Sequence, residues 1–194
     1  MRVVFIGPPG AGKGTQSQRL LKYLQVPHIS TGDLLREAVR NRTNQGLLAE
    51  KYMSEGCLVP DPVMIDLVGK RLDDPDCLGG CLLDGFPRTL GQAQALDRYL
   101  TEHSGPLDGV LELKVNENVL IQRLAGRGRS DDEPKVIRQR FRTYRDRTEP
   151  LLEYYRVRGL LESIDGIGTQ DEVFDRIRQA LTRLGERIKS TRGA

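Results

Sequence analysis

The 194-residue chain contains no Trp, only four Phe and six Tyr, three Met, two His and three Cys. Three cysteines are an odd number, which excludes a closed disulfide framework and points to reduced thiols in the cytoplasm. No His or Cys stands at zinc-ligand spacing around any pair of Cys57, Cys77 and Cys81, so no structural zinc is expected. Cys77 and Cys81, beside Gly79 and Gly80, read as a turn entering a strand. No apolar run approaches the roughly 18 residues that would cross a bilayer. The opening Met1–Gly7 breaks at once into Gly and Pro and does not have the form of a signal peptide. Excess charge of one sign is missing as well: 30 Lys and Arg face 27 Asp and Glu, for a net charge of +3. That balance is weak for a dedicated polynucleotide binder and makes small anions the expected partners. With 38% hydrophobic residues and no repeat or low-complexity tract, the chain reads as one ordinary globular domain.

What the chain does have is arginine. Seven Lys among the 30 basic residues leave 23 Arg, the side chain whose planar fork grips phosphate in pairs of hydrogen bonds. Periodicity predicts buried strands at Arg2–Ile6, His28–Ile29, Cys81–Asp84, Gly109–Val115 and Leu160–Ile164. Between them lie helical stretches at Gly12–Leu24, Gly32–Arg40, Gln45–Glu55, Val63–Leu72 and Asp171–Leu184. The tail from Glu186 to Ala194 reads as frayed. Five short strands alternating with helices imply an α/β fold with a five-stranded parallel sheet. The polar helices and the Arg-rich stretch Arg123–Arg147 read as insertions on that core.

The strongest local signal is Gly7-Pro8-Pro9-Gly10-Ala11-Gly12-Lys13-Gly14-Thr15, set between an apolar strand and a helix. Glycines let successive backbone N–H groups face one anion, the helix adds its positive N-terminus, and Lys13 bridges the β- and γ-phosphates of a triphosphate. A merely structural strand-to-helix turn has no use for that Lys. Gly14 stands where the generic pattern carries Ser or Thr, with Thr15 one place later, so Mg2+ is expected to be held mainly by phosphates and water.

With this loop, Ser30-Thr31-Gly32-Asp33-Leu34-Leu35-Arg36, Asp84-Gly85-Phe86-Pro87-Arg88-Thr89 with Gln92, and Arg123 to Arg140, the chain resembles the nucleoside monophosphate kinases, and adenylate kinases closely. The resemblance implies a P-loop NTPase three-layer fold over 1–194, with a monophosphate-binding subdomain at 30–59 and a short lid at about 126–132. Residues Gly10, Ala11, Gly12, Lys13, Gly14, Thr15, Arg123, Arg127 and Gly168 would hold ATP. Thr31, Arg36, Cys57, Leu58, Val59, Gly85, Phe86, Arg88, Gln92, Arg129 and Arg140 would hold AMP, with Thr31 and Gln92 at the adenine-reading positions. Lys13, Arg88, Arg123, Arg127, Arg129 and Arg140 would serve the transfer itself. Asp84 would orient Mg2+ through water. Nothing resembling a zinc-bearing insertion of about thirty residues separates Arg127 from Arg129.

The physical case for those arginines stands beside the resemblance. A transferring phosphoryl group spreads charge over its equatorial oxygens, which several converging Arg forks stabilise, and an anionic AMP oxygen needs no general base. His28 and His103 therefore need no catalytic role. Arg138, Arg142, Arg145 and Arg147 read as a solvated helix face paired with Asp146, Glu149 and Glu153. A monomer exchanging ATP, AMP and ADP, without nucleic acid or membrane, is the implied state. Two alternatives remain at the level of sequence. One is a P-loop kinase of a non-nucleotide metabolite, which leaves Thr31–Arg36 and Gly85–Gln92 unexplained. The other is a non-catalytic nucleotide- or nucleic-acid-binding module, against which stands the scarcity of aromatics among the arginines, only Phe141 and Tyr144.

Overall fold

The computed structural model describes residues 1–103, 105–126 and 133–192, with side chains described as far as 189. In chain order the elements are β1 Arg2–Ile6, α1 Lys13–Leu24, β2 His28–Ser30, α2 Thr31–Arg40, α3 Asn44–Ser54, α4 Asp61–Leu72, β3 Cys81–Asp84, α5 Leu90–His103, β4 Gly109–Lys114, α6 Glu117–Ala125, α7 Pro134–Thr143, α8 Pro150–Arg156, β5 Leu161–Asp165 and α9 Gln170–Arg192. A π-helical segment, Tyr144–Thr148, joins α7 to α8, and a 3-10 turn, Pro75–Cys77, precedes β3.

The five strands form one parallel sheet in the order β2-β3-β1-β4-β5. Successive β1 residues point to opposite faces, and both faces are covered. Val4 and Ile6 enter one core cluster with Leu83, Leu96 and Tyr155, while Val3 and Phe5 enter another with Leu20, Leu111 and Ile177. Such two-sided burial is why β1 is a continuous apolar run rather than an alternating one. Each large aliphatic side chain so buried contributes roughly 1.5 to 3 kcal/mol.

Register sets up the functional edge. Asp84 at the end of β3 stands level with Ser30 at the end of β2 and with Phe5 near the end of β1. The loops beginning at Gly7 and Gly85, and helix α2 beginning at Thr31, therefore emerge together at the carboxyl edge of the sheet, where ligands of open parallel sheets bind.

Two expectations are corrected. Helix α9 runs to Arg192, so the tail from Glu186 is helical where fraying was expected. Its anchor is Glu162 on β5, which accepts from Arg183 Nε at 3.0 Å and from Arg187 Nη2. Arg145 pairs with Glu117 on α6 at 3.6 Å, and Glu153 with Arg156, in place of the pairing along one helix face foreseen for the arginines beyond Arg140. Arg138, Arg142, Arg145 and Arg147 are all exposed, as expected. The lid segment beyond Gly126, including Arg127 and Arg129, lies outside the described residues.

Candidate active site

The phosphate loop turns back on itself at Gly10 and Gly12, whose φ values of 83° and 97° are open to glycine and strained for other residues. Ala11 N donates to Pro8 O at 3.2 Å and closes the turn, after which α1 begins at Lys13. Lys13 Nζ donates to the loop carbonyls Gly7 O at 2.6 Å and Pro8 O at 3.2 Å, which keeps its charge over the cradle. Arg123, near the end of α6, donates to Ala11 O at 3.2 Å and to Gly166 O at 3.1 Å. It thus ties the phosphate loop to the loop after β5, which holds Gly168 with φ 122°. Gln16 Nε2 binds Gln170 O at 3.0 Å and fastens the same two parts again.

Two cavities adjoin at the carboxyl edge. The first is walled by Gly7, Pro9 and Lys13 of the phosphate loop together with Arg88, Arg140, Thr143 and Thr148. The second is walled by Thr31, Arg36, Cys57, Leu58, Val59 and Gln92 among others. Gly56, Leu58, Gly85, Arg88 and Arg140 belong to both walls. Of the described residues expected to serve AMP, all but Phe86, whose side chain is buried in the core, are thus gathered around one cavity. Gly14 and Thr15 are exposed at the first turn of α1.

Local interactions hold these side chains. Ser30 caps α2, its Oγ accepting from Asp33 N at 3.3 Å. Thr31 is buried, with Oγ1 donating to Asp84 O at 3.4 Å. Arg36 pairs with Asp33 at 2.6 Å, and Arg88 Nε donates to Gly85 O at 2.8 Å. Gln92 is 2% exposed. Its Oε1 accepts from Arg88 N and its Nε2 donates to Asp61 Oδ1, both at 2.8 Å. Thr148 Oγ1 donates to Arg88 O at 3.1 Å, and Thr143 Oγ1 to Gly56 O at 3.3 Å. Asp61, Thr143 and Thr148 carry no sequence motif. A hydrogen-bonding side chain brought to the site from a distant segment is the only signal they give.

Burial pushes the Asp84 carboxyl up, but His28 together with the charges of Lys13 and Arg88 outweighs burial, and the carboxyl is held below its ordinary value. His28 Nε2 lies 3.8 Å from Asp84 Oδ2, beyond ordinary hydrogen-bond distance. Among the described residues no group of three or more His, Cys, Asp or Glu could hold a metal ion. One ionised carboxylate at a phosphate cradle fits Mg2+, which keeps several waters and binds through phosphates.

A P-loop phosphotransferase is the class to which this parallel sheet and phosphate loop, with two adjoining cavities, point. A profile of the family described as adenylate kinase matches residues 5–160. Adenylate kinase of Mycolicibacterium vanbaalenii is 52% identical over 183 residues, 94% of this chain and 100% of that protein. Those of Mycobacteroides abscessus and Mycobacterium tuberculosis are 51% and 49% identical, covering 94% and 93% of this chain and 100% and 99% of theirs. The chain belongs to the adenylate kinase family.

Proposed function

We propose that the chain transfers the γ-phosphoryl group of ATP to AMP, reversibly, giving two ADP, with the triphosphate on the phosphate loop and AMP in the cavity beneath α2 and α3. The observation that carries this reading is the shared wall: nucleotides in the two cavities would meet at Arg88 and Arg140. Backbone N–H groups from Gly10 to Thr15 cradle the ATP phosphates, and Lys13 exchanges the carbonyls of Gly7 and Pro8 for phosphate oxygens. Arg123 shapes the donor side beside Gly168. Arg36 holds the AMP phosphate, Cys57, Leu58 and Val59 line the nucleoside, and Thr31 and Gln92 face the base.

Arg88 and Arg140, with lid residues Arg127 and Arg129, neutralise charge that spreads over the transferring group. The AMP oxygen attacks in line and, being anionic, gives up no proton. Mg2+ arriving with ATP supplies charge neutralisation of the β- and γ-phosphates, and Asp84, held ionised, would orient its water. Segments 30–59 and about 126–132 act as closing subdomains that exclude water, since open access would turn transfer into hydrolysis. A monomer in the cytoplasm completes the reading, in keeping with the protonated, buried thiols of Cys77 and Cys81. Among the described residues no helix is long and apolar enough to cross a membrane.

Steady-state kinetics of two variants test the assignments. Arg88→Ala is expected to lower kcat by about a hundredfold or more, the typical cost of one lost charge-stabilising donor. Arg36→Ala is expected to raise KM for AMP while leaving KM for ATP within about twofold, because it removes ground-state binding on one side only. Near-normal turnover in Arg88→Ala would contradict the reading.

A further inference from the structure

The Gln92 amide is buried between one partner that only accepts hydrogen bonds and one that only donates. A carboxylate has no proton to give at neutral pH, and a backbone N–H has no lone pair to offer. Asp61 Oδ1 therefore fixes Nε2 on its side, and Arg88 N fixes Oε1 on the other, each at 2.8 Å. Turning the amide over would set carboxylate against carbonyl oxygen and N–H against NH2, two repulsive contacts in place of two hydrogen bonds. Asp61 is itself held, because Thr89 Oγ1 donates to its Oδ2 at 2.6 Å and Asp61 opens the first turn of α4. Gln92 borders the acceptor cavity, whereas Asp61 is not part of its wall.

We propose that Asp61 is a specificity-determining positioning residue, which selects adenine by locking Gln92 in one amide orientation. The inference rests on the reading that Gln92 faces the acceptor base. Once its two partners are served, the amide retains one N–H and one lone pair. Those match adenine, which offers an acceptor at N1 and a donor at its 6-amino group. Hypoxanthine has nearly the same shape with the opposite pattern, a donor at N1 and an acceptor at O6. A free amide would turn over and accept it, and a locked one cannot. Rejection of inosine monophosphate thus depends on a carboxylate that does not itself line the cavity.

Initial rates with ATP and either AMP or inosine monophosphate, measured on the intact protein and on Asp61→Asn, Gln92→Leu and Thr89→Val, test this. Asn can present oxygen or NH2 to Gln92, so Asp61→Asn is expected to narrow the AMP-to-IMP ratio of kcat/KM by about tenfold. Its KM for ATP should stay within about twofold. Thr89→Val loses the bond to Asp61 Oδ2 and the one that Thr89 Oγ1 accepts from Gln92 N, but spares the contacts of the Gln92 side-chain amide with Asp61 Oδ1 and Arg88 N, and is expected to keep the ratio even if it melts at a lower temperature. If Asp61→Asn does not fold, Asp61→Ser keeps a short polar group at the start of α4 and carries the same expectation. A ratio unchanged in Asp61→Asn but collapsed in Gln92→Leu would overturn the role of Asp61 and leave the base reading standing. An unchanged ratio in Gln92→Leu would overturn the base reading, and this inference with it. Equal narrowing in Asp61→Asn and Thr89→Val would show general loosening and would also overturn it.

Discussion

At the scale of the residue, the three cysteines separate by environment. Burial pushes the thiol of Cys77 up to about 11 and that of Cys81 up to about 12, so neither carries a reactive thiolate near neutral pH. Cys57 is partly exposed on the wall of the acceptor cavity. Iodoacetamide at pH 8 is therefore expected to alkylate Cys57 alone in the native protein, and AMP to slow that reaction, as peptide mass spectrometry would show. Native labelling of Cys77 or Cys81 at a comparable rate would contradict the burial argument. The residues of the phosphate loop were legible in the sequence because they are contiguous and each has one physical duty. The hold on Gln92 was not, since Asp61 lies 31 residues away and only the fold brings the two together. Pro60-Asp61-Pro62 looks like punctuation until the partner is seen.

At the scale of the element, the cavity that would take AMP depends on how closely α3 approaches α2. Gly46 on α3 lies so near the end of α2 that an added Cβ would stand 2.0 Å from Ala38 O and 2.6 Å from Val39 N. Neither is a flexible side-chain end, so the two helices themselves would have to part. Gly46→Ala is expected to raise KM for AMP severalfold, leave KM for ATP within about twofold, and lower Tm by a few degrees, in line with about 1 to 3 kcal/mol of overpacking. Kinetics in both substrates with a thermal melt check it. The strands were legible to within a residue or so, β1 and β3 because two-sided burial writes itself as apolar runs, whereas the edge strands β2 and β5 carry polar residues and are only partly buried. Helix α6 was not, since in the sequence residues 117–122 read as no regular element and only its last three fall in the Arg-rich stretch from Arg123 to Arg147. Leu120 and Leu124 are buried and make it part of the core, and Asn116 caps it by accepting from Val119 N at 3.0 Å. The reach of α9 was hidden for the same kind of reason, because its basic last turns look solvated until Glu162 on β5 is placed beside them.

At the scale of the whole molecule, one parallel sheet gathers three loop departures at its carboxyl edge. Strand register thereby brings the phosphate loop, Asp84 and the start of α2 to one edge of the sheet. On the proposed reading, Arg88 and Arg140 on the shared wall serve transfer between two bound nucleotides, and Gln92 in the second cavity reads the acceptor's base. The most direct measurement is ADP formation from Mg-ATP with AMP, UMP, CMP, GMP or no acceptor, run in parallel with EDTA controls. The account predicts two ADP for each ATP consumed, only when AMP and Mg2+ are both present, with the other monophosphates far slower. Faster turnover with UMP or CMP than with AMP would contradict the assignment of Thr31 and Gln92 to adenine. ADP formed equally well without any acceptor would contradict the central claim of nucleotide-to-nucleotide transfer.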